Sequence, residues 1–105
     1  MKKITRQPDI VWREEDEARR EVIDAMGRGE DASSVGTVIL IVSGMMHQLN
    51  ILGGEIWKLL DGTRDEGDIV EELITVFDVD RDLLEDDVHS FLADLAVRGW
   101  IKYDS

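Results

Sequence analysis

The sequence predicts an α+β fold: a small three-stranded antiparallel sheet packed on three helices, with an extra helix towards the N-terminus. Three observations predict it. TVILIV (37–42), then Ser43-Gly44, then MMHQL (45–49) reads as a β-hairpin. Val and Ile suit a pleated surface, and Ser-Gly suits the left-handed backbone of a two-residue turn. Three blocks of apolar residues at helical spacing follow between Asn50 and Arg98. Upstream, DIVWREE alternates as a strand does, with Ile10 and Trp12 on one side and Val11 and Arg13 on the other.

Each element has its own justification. Pro8 opens the first strand. In DEARREVIDAMG, Ala18, Val22 and Met26 fall at i, i+4 and i+8 with Ile23 beside them. Asp16 is placed to cap this helix and Gly27 and Gly29 to stop it. The narrow stripe suits packing against the domain's own side. DASSVG reads as loop. In the hairpin, Val38, Leu40 and Val42 face one way and Ile39 and Ile41 the other; both sets are apolar, so this strand is central or covered on both sides. Asn50 caps the next helix, whose buried stripe is Ile51, Leu52, Ile56, Leu59 and Leu60, and Asp61-Gly62 ends it. Asp65 caps the following helix, with Asp68 three residues on as a carboxylate version of the capping box. Ile69, Val70, Leu73, Ile74 and Phe77 form its inner face. The last helix spans 81–98 with Leu84, Val88, Phe91, Leu92 and Leu95 at helical spacing, and Gly99 stops it. Trp100, Ile101 and Tyr103 then alternate as a short closing strand.

Composition narrows the functional classes. Twenty-four acidic and twelve basic residues give a formal charge of −12. Such a surface repels phosphate backbones and anionic membranes at long range, so nucleic acid and membrane are not the expected partners. The 105 residues include no cysteine, which excludes disulfides, zinc-thiolate sites and thiol nucleophiles. The two N-terminal lysines have no apolar run behind them, and the longest apolar stretch, Val38 to Val42, is far too short to span a bilayer. A single cytoplasmic domain over residues 1–105 is expected.

Catalytic and metal-binding constellations are missing. Asp78, Asp80 and Asp82 match positions of a calcium loop, but Leu83 stands where glycine is needed and His89 where a bidentate Glu is needed. Those carboxylates suit the positive end of a helix instead. His47 and His89 are the two histidines, too few for a catalytic zinc set of their own. Ser33, Ser34, Ser43 and Ser90 lack a nucleophile-elbow context. Gly53-Gly54 lacks nucleotide-loop spacing and reads as close packing of a helix turn on another backbone. The chain is therefore expected to be no enzyme, with no catalytic residue, metal or cofactor.

The two helices around Asp61-Gly62 form a helix-turn-helix, yet its outer faces do not suit DNA. The second carries Glu66, Asp68, Glu71 and Glu72, and the third Asp82, Glu85, Asp86, Asp87 and Asp94, against Arg81 and Arg98. HQLN-ILGGEIWKLLDG-TRDEGDIVEEL, then DV-HSFLADLAVRGWI, resembles the PqqD family of small peptide chaperones. The matching features are Leu49-Asn50, Leu60-Asp61-Gly62, Ile69-Val70 with Leu73, Asp87-Val88, Phe91-Leu92, Leu95 and Gly99. Their order covers residues 38–101 well and Pro8 to Arg13 loosely. This resemblance implies a winged helix-turn-helix-like fold and a RiPP recognition element. Such an element binds the leader segment of a ribosomally made precursor peptide and presents it to a modifying enzyme, often a radical SAM protein.

The implied binding mode adds the leader as a strand beside Met45, Met46, His47, Gln48 and Leu49, with Leu84, Asp87, Val88, Phe91 and Leu95 lining the helix side. Core packing is the favoured role for Val88, Phe91 and Leu95, while Met45 and Met46 fit either role. Family members turn quickly between strands one and two. This chain spends about twenty residues there, long for such a connection, so residues 18–36 are an expected insertion. The alternative reading is a winged-helix DNA-binding regulator, dimeric through the Ala18–Met26 helix; an acidic scaffolding domain is a third.

Overall fold

The computed structural model describes residues 2–104. The elements run β1 (Lys3–Arg6), β2 (Val11–Glu14), α1 (Asp16–Gly27), β3 (Val38–Val42), β4 (Met45–Leu49), α2 (Ile51–Lys58), α3 (Glu66–Ile74), α4 (Arg81–Arg98) and β5 (Ile101–Asp104). The class is α+β, with four helices and a three-stranded antiparallel sheet in the order β2-β3-β4. A second, two-stranded sheet pairs β1 with β5. The chain divides into two compact units, Asp9–Glu55 and the residues up to Pro8 together with those from Ile56 onward.

In Asp9–Glu55, β3 is the central strand, as its two apolar faces require. Val11 stands opposite Ile41 and Ile41 opposite Met46; Trp12, Leu40 and His47 form the next row. Ser43 and Gly44 both have positive φ, 51° and 78°, which closes the two-residue turn. Val38 and Leu40 are fully buried, whereas Ile41 keeps 39% of its surface. Helix α1 begins one residue earlier than a cap at Asp16 demands. Glu15 is the N-cap and makes no side-chain capping bond, and Asp16 is the first helical residue, set in the positive end of the helix. Of the expected stripe, Val22 is buried and Met26 exposed. Arg19 on α1 forms a two-pronged ion pair with Glu55, Nη2 to Oε1 at 2.8 Å and Nε to Oε2 at 3.2 Å. That hydrogen bond raises the Arg19 pKa further above its ordinary value.

Gly54 lies on side chains rather than on backbone. A methyl group there would meet Thr37 Oγ1 at 2.8 Å and Val38 Cγ2 at 2.9 Å. Asn50 caps α2 as expected, its Oδ1 accepting from the Gly53 N–H at 3.0 Å.

In the other unit, α2 ends at Lys58, so Leu59 and Leu60 fall outside the helix that was expected to carry them. Arg6 explains the early stop. Its guanidinium donates to two carbonyls of the last turn, Trp57 at 2.8 Å and Lys58 at 3.1 Å, that of Trp57 also accepting from the Leu60 N–H. Desolvation lowers the Arg6 pKa, with Asp61 opposing. Leu59 and Leu60 then bond back three residues in a tightened turn, and Gly62 reverses the chain at φ 86°. Trp57, absent from the expected stripe, is fully buried. Asp65 and Asp68 make the reciprocal capping box of α3. Helix α4 matches its expected span, with Asp80 capping the start and Gly99 at φ 77° closing it. Strand β5 fits the expected closing strand, and its partner β1 is an element the sequence reading missed.

The loop after α2 is tuned by acid groups. Asp61 has its pKa lowered first by the Thr63 hydroxyl, then by the Thr63 N–H and Arg64; Asp65 has its own lowered by the Asp68 N–H. A depressed carboxyl pKa stabilises the fold above the unfolded value, 3.8 here, and that contribution fades as pH falls through the lower folded value. Asp61→Asn should therefore narrow the gap between urea midpoints measured near neutrality and at about pH 3.

Candidate functional site

The β4 strand has β3 on one side and, among the described residues, no strand of its sheet on the other. Its open edge can be read from the ladder. The bonds of β3 alternate, those at 39 and 41 pointing to β2; at Thr37 they divide, its carbonyl accepting from the Glu15 N–H and its N–H donating to the Leu49 carbonyl, both at 2.8 Å. Those at 38, 40 and 42 point to β4, where their partners are Leu49, His47 and Met45. Met46 and Gln48 therefore direct their backbone N–H and C=O groups to the open side. Each presents one donor and one acceptor, an incomplete ladder that an extended peptide can complete.

Side chains on this strand alternate between two faces. Met45 and Met46 are 64% and 63% exposed, Gln48 is exposed, His47 half-buried and Leu49 buried. Gln48 lies against Gly36, whose added Cβ would come within 3.0 Å of its Oε1. On α4, Leu84, Val88 and Leu95 are buried, Phe91 is half-buried and Asp87 is exposed. Leu84, Val88, Phe91 and Leu95 follow one another along one side of the helix. The burial of Leu84, Val88 and Leu95 agrees with a packing role; Phe91 and Asp87 keep exposed surface.

The exposed faces of α3 and α4 are anionic, and their arginines are already engaged. Arg64 pairs with Asp61 and Glu72, Arg81 with Glu71 and Glu85, and Arg98 with Asp94. Arg98 also lies 5.1 Å from the Trp100 ring centroid. A concavity of about 500 Å³ is lined by Thr63, Arg64, Asp68, Glu71, Glu72 and Thr75. Two of its acids, Asp68 and Glu71, are ion-paired with Lys3 and Arg81. His89 Nδ1 sits 3.2 Å from Glu66. Among the described residues no group of three His, Asp or Glu side chains could hold a metal ion. No helix among them is long and apolar enough to cross a membrane.

Sequence reasoning missed two features of the strand's surroundings. The Arg19–Glu55 pair spans 36 residues and carries no local signal. The phase of the open edge follows from the turn residues Ser43-Gly44, and this signal was present in the sequence.

Residues 36–101 match the family model described as coenzyme PQQ synthesis protein D (PqqD). No curated protein sequence matches the chain. Two solved structures are similar in fold. One, TbiB1 in complex with the TbiA(beta) leader peptide, has 20% identity and a TM-score of 0.64, covering 96% of this chain and 98% of its own. The other is the solution structure of the PqqD truncation of PqqCD from Methylobacterium extorquens, described as a functional and stand-alone RiPP recognition element. It has 18% identity and a TM-score of 0.63, covering 94% of this chain and 87% of its own.

Proposed function

The chain belongs to the PqqD family, and from that premise we propose that it is a non-catalytic, peptide-binding recognition element. It takes the leader segment of a ribosomally made precursor as a fourth strand on β4 and presents it to a modifying enzyme of the radical SAM class. The observation that carries this reading is the open edge of β4, where Met46 and Gln48 face outward with their backbone groups. The edge is short, so main-chain pairing alone is modest and side-chain contacts must complete the affinity. Met45 and Met46 suit that task because a flexible thioether moulds to varied apolar partners. The charge of −12 favours a leader bearing lysine or arginine and speeds its approach. Residues 18–36, holding most of α1 and the loop after it, are on this reading an insertion between the first two strands of the sheet.

Titration of labelled protein with a leader peptide from a neighbouring precursor gene tests the reading. Amide shifts are expected at Met46 and Gln48; a spectrum unchanged at residues 45–49 would overturn it. Gln48→Pro should weaken the peptide by about ten-fold or more, because it deletes an edge donor and places a ring in the path of the added strand. The Gln48 N–H does not serve the β3·β4 ladder, so the unfolding midpoint should stay close to that of the parent.

A further inference from the structure

Of the side chains on the outward face of the β2-β3-β4 sheet, only that of Met46 has a role in the reading above. Rows of directly opposed residues place Val11, Ile41 and Met46 on this face, with Arg13, Ile39 and Gln48 in the adjoining row. Val11 is 67% exposed, Met46 63% and Ile41 39%. A depression of about 260 Å³ lies here, lined by Val11, Trp12, Arg13, Ile39, Ile41 and Met46. In a chain with twenty-four acidic residues, none of the six residues in these two rows is acidic. Their one charge is Arg13, which is paired with Glu15.

The depression is continuous with the open edge through Met46. A strand added to β4 must continue the cross-strand rows, whichever direction it runs. The peptide residue beside Met46 therefore projects onto this outer face and extends the row Val11–Ile41–Met46. Its neighbour two residues away lies beside Gln48, whose side chain is folded against Gly36 and offers no apolar surface.

We infer that the outer sheet face is a second subsite for the bound peptide, which takes an aliphatic or aromatic side chain from the residue beside Met46. This rests on the peptide-binding reading and adds a specificity to it. An acidic side chain at that peptide position meets apolar surface inside an anionic chain and is rejected; an apolar one covers Met46 and Ile41. The residue beside Gln48 is free to vary.

Selection of random peptides displayed against the immobilised full chain provides the test. Enriched peptides are expected to share one apolar position. Replacing it by Asp should weaken binding to the parent about five- to ten-fold. Met46→Lys should reverse the preference, so that the Asp peptide binds at least as well as the apolar one. Ile41→Lys, one strand along the same row, should reverse it more weakly and guards against a folding defect at residue 46. If enriched peptides move the Met46 and Gln48 amides but their affinity ignores the residues at 46 and 41, the subsite is overturned while the peptide-binding reading stands. If no peptide is enriched, or those enriched leave these amides unmoved, both fall.

Discussion

Arg19→Ala is expected to destabilise the protein by about 2–3 kcal/mol, read as a lower urea midpoint. Glu55 is 8% exposed, so its carboxylate has little access to water once the guanidinium is removed. Breaking a buried pair from one side costs about 3–5 kcal/mol, and the one-third exposure of the Arg19 side chain places this case below that range. The cost should come from the charge left behind rather than from the loss of a favourable bond. Arg19→Met combined with Glu55→Met should accordingly be milder than Arg19→Ala alone, since it removes both charges and fills their volume. Equal damage from the double and the single variant would show that the pair contributes net attraction instead. Glu14, 3.6 Å from Arg19, adds a second carboxylate to the same guanidinium. Glu14→Gln should therefore shift the midpoint much less.

Gly54→Ala should destabilise by up to about 2 kcal/mol despite favouring the helix. Alanine gains roughly 1 kcal/mol over glycine inside a helix. Against this stands overpacking, typically about 1–3 kcal/mol, at a site where the new methyl would lie under 3 Å from two side chains. Thr37 and Val38 are both fully buried, and as β-branched residues they have little freedom to rotate away. Thr37 Oγ1, the nearer obstacle, is buried with no hydrogen-bond partner among the described residues. Removing it should thus relieve the clash without breaking a bond: Thr37→Ala with Gly54→Ala should be less destabilised than the sum of the two single changes. Strict additivity, measured by urea unfolding of all four proteins, would refute the close approach.

The parts of this fold that could be read from sequence are those governed by neighbouring residues. The hairpin follows from Ser43-Gly44, both with positive φ, and α4 from acidic residues at its start and Gly99 at its end. The Asp65–Asp68 box is equally local, as is the open edge, because a two-residue turn sets which residues of β4 bond inward. The features that escaped are set by distant partners. Ile4 is a lone buried residue in KITR, too little alternation to announce a strand, and its partner Tyr103 lies at the far end of the chain. The end of α2 was misplaced because the group that stops it is Arg6, more than fifty residues away. The helix stops two residues short of the expected stripe's last member, and Trp57, outside that stripe, is fully buried. Of the candidate site, the strand was legible and its outer face was not. Both sets of β3 side chains are apolar, so sequence could not say which set is covered.

The pairing of β1 with β5 has a consequence for biosynthesis. Asp9–Glu55 is continuous in sequence, so its sheet and α1 can form as soon as that stretch has left the ribosome. Strand β1 is made before it but must wait for residues 101–104 to emerge, since Lys3 pairs with Asp104 and Arg6 with Ile101. At about 5–20 residues per second that interval is several seconds. During it, the loop from Leu60 to Arg64 is the neighbour that can hold β1, through the bonds of Ile4, Arg6 and Gly62. The recognition hairpin can thus be complete on the nascent chain before the strand made ahead of it has found its mate.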